Sequence, residues 1–438
     1  MIADSSPSPP PVTVVGGGPA GATAALTLAR AGVPVRLLDR AAFPRNKPCG
    51  GGISIRVFAR FPYLQSALRR IPTHLVSRLH LEGPDGTSTV IESSEPAALM
   101  IRRIEFDAAL VNLAREAGAE VLSGVDIVNA SQDARRVTLT SRDGRTFVAP
   151  LVIAADGVHS VVARRLGMNP GWNASCVALD MMEETPRSEL RDLDPSTLWV
   201  AYGYEPIRDP QSATRNDSVP EGYAYIFPKR DHVNIGIGYV LSHFRKHIDR
   251  APYDLQRDFV TRLRDRGIVE GVSVRRNFTP FLIPVGGPLR EPARGRVLLA
   301  GDAGGFVNGF TAEGIFYAMV SGDLAARAVV GALARGPRGL ETAAGRYRRA
   351  VDYEIGSELR DSVLLQRYLF ADRRKIMRVI AGANRERGLT HLILDLAIGR
   401  RSYREVRRRI LGRAPLLAGR LLFERIAKRQ LLSAAFIT

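Results

Sequence analysis

The sequence has only two cysteines in 438 residues, Cys49 and Cys176. Two thiols build neither a disulfide framework nor a Cys-based zinc site, and such usage fits a reducing, cytoplasmic setting. Long hydrophobic runs are missing too. No stretch of about 18 uninterrupted apolar residues occurs, so no transmembrane helix is expected. MIADSSPSPPP at 1–11 lacks the basic start and apolar centre of a signal peptide and is expected to be a disordered tail. Histidine is scarce, at seven residues without carboxylate clustering, so no metal is expected. Acidic residues are in deficit: 44 Asp and Glu face 62 Lys and Arg, a net charge of +18. Residues 341–438 hold 22 of the basic and 10 of the acidic side chains, so most of the surplus lies at that end. An anionic membrane surface or nucleic acid would attract such a segment. An Arg-rich solvated helix surface would have the same composition. No nucleic-acid motif accompanies the charge, so nucleic acid is not expected as a partner.

Glycine, by contrast, is plentiful, and its placement organises the chain. VTVVGGGPAGATAALTLARAGVPVRLLD at 12–39 opens with a β-branched run at 12–15, which predicts a buried strand. Gly16, Gly18 and Gly21, with Pro19 and Ala20 between the last two, give G-x-G-x-x-G directly after it. An Ala- and Leu-rich stretch at 22–31 predicts a helix stopped by Gly32, and 35–38 predicts a second strand ending in Asp39. Such glycines let the backbone approach a pyrophosphate, and the helix N-terminus supplies N–H donors and a positive dipole end. Asp39 stands at about the ~20-residue spacing where a carboxylate binds a ribose hydroxyl and disfavours a 2′-phosphate. The complete strand–turn–helix–strand unit predicts dinucleotide binding.

Beyond Asp39, FPRNKPCGGGI at 43–53 sets three consecutive glycines beside Cys49. That predicts an irregular loop lying tightly against a flat ligand or another backbone. A helix is expected over 54–61, and strands over 79–90 and part of 91–100 on a separate sheet, with a hairpin turn at Asp85-Gly86. Phe106, Leu110, Leu113 and Ala114 share one face of an amphipathic helix over 101–117. Strands follow over 120–122, 136–140, 146–149 and 151–155, then a helix over 160–166. Residues 176–238 read as mixed β, broken by a mobile Pro-, Asp- and Ser-rich loop at 208–221. A helix over 253–267, a buried strand over 297–300 and a long apolar helix over 314–334 come next. From 345 onward the chain is predicted to be mostly helical, with Arg-rich faces and apolar pieces such as 416–423.

Three features occur in a telling order: the glycine motif with Asp39, ADGVHSVVAR at 155–164, and LLAGDAGGFVNGFTAE at 298–313. Together they resemble FAD-dependent oxidoreductases of the p-hydroxybenzoate hydroxylase type. KPCGGGIS at 47–54, YAYIFP at 223–228 and the G-x-G of Gly236 and Gly238 narrow the resemblance to the geranylgeranyl reductase family. That family often carries Trp where Tyr225 stands, and commonly Pro and Gly where Gly309 and Ala312 stand. These departures bear on the floor of the substrate pocket. The resemblance implies an α/β fold with three parts. A Rossmann-like FAD-binding domain is discontinuous over 12–78, 101–170 and 285–335. A mixed β-sheet substrate-binding domain takes 79–100 and 171–284, and a C-terminal helical, basic segment takes 340–438. It further implies FAD as cofactor and NAD(P)H or reduced ferredoxin as electron donor. The implied reaction saturates C=C bonds of a polyprenyl (geranylgeranyl-type) group in a lipid, quinone or pigment precursor. An FAD-dependent monooxygenase or halogenase is the alternative on the same fold, and the KPCGGGIS loop speaks against it. A prenyl-lipid or other hydrophobic substrate would bring a cytoplasmic protein to the membrane, with peripheral contact through the basic C-terminal segment.

The resemblance also assigns residues. Gly16, Gly18, Pro19, Ala20 and Gly21 fall at the FAD, with Asp39 and Arg40 at the end of the second strand. Lys47, Cys49, Gly50 and Gly51 come from the glycine loop, which the family places at the flavin. Arg103 resembles an arginine that contacts FAD, or is a solvated helix-start residue. Val125 is assigned to the cofactor as well. Asp156 and Gly157 lie near the pyrophosphate, or simply make a turn. Gly301, Asp302 and Gly314 approach the ribityl chain, with an N-cap as the other role open to Asp302. Tyr223, Tyr225 and Phe227 alternate along a strand and so share a face. With Phe310 they line an isoprenoid pocket, or are plain core. Hydride delivery to one alkene carbon leaves its neighbour needing a proton. Cys49 is the expected donor and Tyr223 the second candidate, while a small Cys filling a tight loop remains the other role for Cys49.

Overall fold

The computed structural model describes residues 10–204, 221–397, 399–405 and 408. Residues 1–9 of the tail expected at 1–11, residues 208–220 of the loop expected at 208–221 and the apolar piece at 416–423 lie outside them. The β-branched run forms strand Val12–Val15 inside a six-stranded sheet. It pairs in parallel with Val35–Asp39 on one side and Val152–Ala154 on the other. Glu120–Ser123 and Val297–Leu299 extend the sheet in parallel, and Ala293–Arg294 ends it antiparallel. Both faces are covered, which is why 12–15 is continuously apolar rather than alternating. Val12 and Val14 pack into a core shared with helices Pro19–Arg30, Arg103–Glu116 and Ile315–Leu333. Val15 packs into the opposite core with Val137, Leu139 and Phe147 of a three-stranded antiparallel sheet.

The first helix starts at Pro19, three residues before its Ala-rich stretch, because proline is tolerated where the N–H has no helical partner. Helix Ile315–Leu333 is long and apolar enough to cross a bilayer by length and composition. Asp323 and Arg327 interrupt it, so a search for an unbroken run passes it by. It is buried instead, and packs on Pro19–Arg30. Gly322 sits at that crossing: a Cβ there would lie 2.1 Å from the Ala20 carbonyl oxygen.

The second large sheet has seven strands, in the order Phe278–Ile283, Ala178–Pro186, His232–Val240, Gly222–Pro228, Thr197–Tyr202, Arg78–Glu82 and Ser88–Glu92. All neighbours are antiparallel except the pair Thr197–Tyr202 and Arg78–Glu82. One face buries Ala224, Ile226, Ile235 and Ile237 against helix Pro252–Asp265. The other carries Tyr223, Tyr225, Phe227, Val200 and Met182.

Two local expectations need correction. Ala98–Ile101 does not join the seven-stranded sheet; it pairs with Gly52–Ser54 and Thr73–Val76. Leu99 and Ile101 bury in the core of the parallel-sheet domain, which draws the strand there. Gly52 is accordingly a strand residue rather than loop, and the helix expected over 54–61 shrinks to Val57–Arg60. Toward the C-terminus, helix Ala343–Val351 packs on the first core, and a π-helical stretch leads into Ser357–Phe370. Arg373–Arg385 and Arg387–Ala397 then fold back over the seven-stranded sheet through Ile380 and Leu394.

The crossing at Gly322 makes a prediction. Gly322→Ala forces the two helices apart and is expected to cost about 1–3 kcal/mol, as overpacking does. Gly388, where a Cβ meets nothing within 4 Å, is the control: Gly388→Ala should gain ~0.4–1 kcal/mol through the unfolded chain. Chemical denaturation of both apoproteins measures the pair.

Candidate functional site

A cavity of about 850 Å3 lies between the two large sheets. The first helix aims its N-terminus at one end. Its N-cap, Gly18, has φ −73° and no side chain caps the helix, so the first-turn N–H groups stay open to an anion. A Cβ on Gly18 would meet nothing closer than the guanidinium groups of Arg103 at 3.7 Å and Arg45 at 3.9 Å. Both guanidiniums are held by Asp107, which has no exposed surface. Arg103 donates twice to that carboxylate at 2.7 Å, and Arg45 once at 3.0 Å. Arg103 is therefore a buried, fixed cation at the cavity wall rather than a solvated helix-start residue.

Gly16, Pro19 and Ala20 also line this end. Gly16 has φ +97°, and a Cβ there would lie 2.3 Å from the Ala155 carbonyl oxygen. Gly21 does not reach the cavity. A Cβ on it would fall 1.8 Å from the Gly16 carbonyl oxygen, so its place is the helix–strand crossing. Asp39 is pinned at the end of its strand, accepting from the Gly17 N–H at 2.6 Å and the Ala41 N–H at 2.8 Å. Arg40 beside it is exposed at the rim, and Val125 is a buried wall residue.

Asp156 lines the cavity, but its carboxylate departs from that of a free phosphate-side group. Its carboxylate accepts from Ser160 Oγ at 2.6 Å and the Val161 and Val162 N–H groups at 2.8 and 3.2 Å. It is spent on the start of helix Val161–Arg165, and burial raises its pKa against those hydrogen bonds. Gly157 lines the cavity next to it. Asp302 also departs from the N-cap role, because it lies inside the 3₁₀ turn Gly301–Gly304 instead of before it. Among the described residues its half-buried carboxylate has no hydrogen-bond or ion-pair partner, and it faces the cavity together with Gly301 and Gly314. An uncapped helix N-terminus, two anchored guanidiniums and an unengaged carboxylate farther along one elongated cavity fit the pyrophosphate and ribityl hydroxyls of FAD.

The glycine loop separates this end from the apolar one. Gly50 is pressed against the seven-stranded sheet, where a Cβ would lie 2.9 Å from the Phe227 ring. Asn234 Nδ2 donates to the Cys49 carbonyl at 3.2 Å and ties the loop to that sheet. Gly51 has φ +73° beside the Ile101 carbonyl. The Cys49 Sγ accepts from the Gly51 N–H at 3.4 Å and sits within reach of the Arg103 guanidinium. Lys47 lies over the Phe281 ring at 5.0 Å, and burial, aided by Arg103, lowers its pKa.

Tyr223, Tyr225, Phe227 and Phe310 all line the cavity, so the alternating aromatics form its wall as well as core. Tyr223 donates to the Thr311 carbonyl at 2.9 Å, and Phe310 stacks on Tyr202 with centroids 5.2 Å apart. Ala312, standing where the family commonly has glycine, holds φ +54°, the one positive φ on a non-glycine residue among those described.

Three parts of the site were missed in the sequence. Asp107, which anchors the expected Arg103, stands at i+4 from it on a helix, and that spacing was a usable signal. The cavity's apolar roof, with Leu369, Ile376, Ile380 and Leu396 from the C-terminal helices, was hidden because that segment reads as basic surface. Asp180, buried at the cavity wall, carries no motif at all. The expectation of no metal also passed over His243 and His247, one helical turn apart with ring centroids at 4.8 Å. Burial and then His247 lower the His243 pKa to about 4. No third ligand joins them among the described residues.

Comparison with known proteins gives concordant results. The FAD binding domain family matches residues 10–270. A menaquinone reductase from Mycobacterium tuberculosis is 34% identical over 322 residues, covering 72% of this chain and 75% of its own length. A chloroplastic geranylgeranyl diphosphate reductase from rice is 30% identical, covering 75% of this chain and 68% of its own. Among solved structures, a geranylgeranyl bacteriochlorophyll reductase-like protein from Thermoplasma acidophilum superposes with a TM-score of 0.73 at 19% identity, covering 92% of this chain and 98% of that one.

The cofactor end yields two predictions. Gly18 has ordinary dihedrals and free space for a side chain, so Gly18→Val should fold yet lose FAD, because the valine fills the space of the pyrophosphate. Circular dichroism with flavin absorbance separates the two effects, and a fully loaded variant would refute the placement. Asp302→Ala should weaken FAD binding by about 1.5–3 kcal/mol, the range for a hydrogen bond to a charged group. Titration of apoprotein with FAD checks it.

Proposed function

The chain belongs to the geranylgeranyl reductase family of FAD-dependent oxidoreductases, and from that premise we propose that it saturates C=C bonds in the polyprenyl group of a lipid or quinone. The observation that carries this is the composition of the cavity beyond the glycine loop. Aromatic residues of the seven-stranded sheet form one wall, and Leu369, Ile376, Ile380 and Leu396 form the roof. An isoprenoid chain is uncharged and methyl-branched, and such a lining accepts it at about 25 cal/mol per Å2 of apolar surface removed from water. The printed names of the relatives, a menaquinone reductase and a geranylgeranyl diphosphate reductase, fall in the same chemical class.

FAD, once reduced, supplies the hydride. The chain's own residues do the rest. The first helix, Arg45 and Arg103 hold the phosphates, and Asp302 holds the ribityl chain. Gly50 and Gly51 let the loop pack closely against the Phe227 ring and the Ile101 carbonyl. The aromatic wall and helical roof exclude water, which protects reduced flavin from side reactions. A monooxygenase or halogenase on this fold would instead use oxygen at the same place.

Mass spectrometry of lipids bound to the purified protein tests the proposal. A prenyl quinone or lipid is expected, and after reduction with dithionite, NADPH, NADH or ferredoxin its mass should rise by two hydrogens per saturated bond. Oxygen or halide incorporation in place of hydrogen would overturn it.

We further propose that the basic C-terminal segment docks the enzyme on anionic membrane, where prenyl substrates reside. The surplus of Lys and Arg over 341–438 supports this. So do Leu364 and Tyr368, exposed on helix Ser357–Phe370 close to the cavity roof. Binding to vesicles should rise with the anionic lipid fraction and fall with salt. Equal binding to neutral and anionic vesicles would leave the charge as solvated surface.

A further inference from the structure

Strand Ala178–Pro186 places one carboxylate on the cavity face of the seven-stranded sheet. Asp180 is 4% exposed, lines the cavity, and sits between Phe281 and Gly238 on the neighbouring strands. Its Oδ2 accepts from the Tyr225 hydroxyl at 3.0 Å. Its Oδ1 is buried with no hydrogen-bond partner. A carboxylate in that position would leave one oxygen with its charge unanswered, whereas a carboxylic acid carries a proton there.

The contact with Tyr225 is built into the sheet. Tyr225 lies on strand Gly222–Pro228, two strands from Asp180, and its ring crosses the intervening strand over Gly236. Any Cβ at Gly236 would fall 2.4 Å from the tyrosine hydroxyl. Glycine at 236 is thus the opening through which the hydroxyl reaches Asp180. The other titratable groups facing this carboxylate are Lys47 from the glycine loop and Tyr223 beside Tyr225, and Cys49 faces the two tyrosines. Tyr223 already donates to the Thr311 carbonyl, and burial holds its proton more tightly than that of a free phenol. The Cys49 sulfur is engaged as an acceptor from the Gly51 N–H.

We infer that Asp180, positioned by Tyr225, is the acid that protonates the alkene. The inference rests on the alkene-reductase function proposed above. In the step, reduced FAD gives a hydride to one carbon of the double bond, and the Asp180 Oδ1–H bond breaks as its proton forms the C–H bond at the other. The π bond is consumed, the flavin is left oxidised, and Asp180 is left as a carboxylate facing Lys47, to be reprotonated from solvent. Burial pushes the Asp180 carboxyl up to about 7, opposed by the Tyr225 hydrogen bond and by Lys47. The donor form is therefore present at neutral pH and is lost as pH rises through that value.

Asp180→Asn, Tyr225→Phe and Cys49→Ala, each loaded with FAD, are compared with wild type by stopped flow in the two half-reactions and by infrared titration of the apoprotein. The substrate is a prenyl quinone or geranylgeranyl diphosphate. Asp180→Asn should retain FAD and flavin reduction but lose about 10²–10⁴-fold in reoxidation by the alkene, the usual yield of a positioned acid. Wild-type reoxidation should fall above about pH 7. Tyr225→Phe removes a bond that favours the carboxylate, so its fall should move to higher pH. A protonated carboxyl band should titrate with the same midpoint, survive in Cys49→Ala and vanish in Asp180→Asn. Wild-type rates in Asp180→Asn, or loss in Cys49→Ala alone, would overturn the inference and leave Asp180 a structural acceptor. A wild-type enzyme inert toward every prenyl alkene would instead overturn the proposed function, and the inference with it.

Discussion

The first helix is wedged between two surfaces that admit no side chain at the points of contact. On one side Gly21 rides on the Gly16 carbonyl, and on the other the Ala20 carbonyl rides on Gly322. With backbone meeting backbone, the helix has little freedom to tilt. Its uncapped N-terminus is thereby aimed at one end of the cavity. Asp107, fully buried, then fixes Arg45 and Arg103 beside that N-terminus. Removing such an ion cluster from water costs several kcal/mol per charge and repays little in net stability. Its use here is placement: two rigid cations and an open helix end converge where a pyrophosphate must lie.

At the other end of the cavity the organising rule is the two-residue period of a strand. Tyr223, Tyr225 and Phe227 fall on the cavity face, and Ala224 and Ile226 fall on the face covered by helix Pro252–Asp265. The same period brings Gly236 and Gly238 to the cavity face of the next strand and Asp180 to that of the one beyond. Small residues in the middle strand let an aromatic ring lie across it. One dry environment then serves two purposes. It suits the isoprenoid chain proposed as substrate, and it raises the affinity of a carboxyl group for its proton.

The C-terminal helices join these ends. Arg367, Arg374, Arg378 and Arg385 are exposed on them, while Leu369, Ile376, Ile380 and Leu396 turn inward to close the cavity. A segment that composition assigns to surface electrostatics is thus also part of the pocket wall. The membrane docking proposed for it would draw on the same amphipathic arrangement that closes the cavity.

What the sequence determined by itself was the local part of the molecule. Strand, turn, helix and acid over 12–39 follow from β-branched continuity, glycine spacing and a charged strand end, all within a short span of chain. The alternating aromatics at 223–227 and the glycine loop at 47–54 were legible for the same reason, since periodicity and backbone freedom are properties of neighbouring residues. Three kinds of fact were decided only by the tertiary structure. Asp156 and Asp302 look alike in sequence, each a carboxylate beside glycine, yet one is consumed by a helix start and the other is left unengaged. Ala98–Ile101 chose its sheet by which core could bury Leu99 and Ile101. Asp180 gained its place through register, across strands 45 residues apart in sequence from the tyrosine that holds it. No pattern within a strand encodes what the strand two positions away will present, and burial, which sets the acidity of that group, exists only once the sheets have closed on each other.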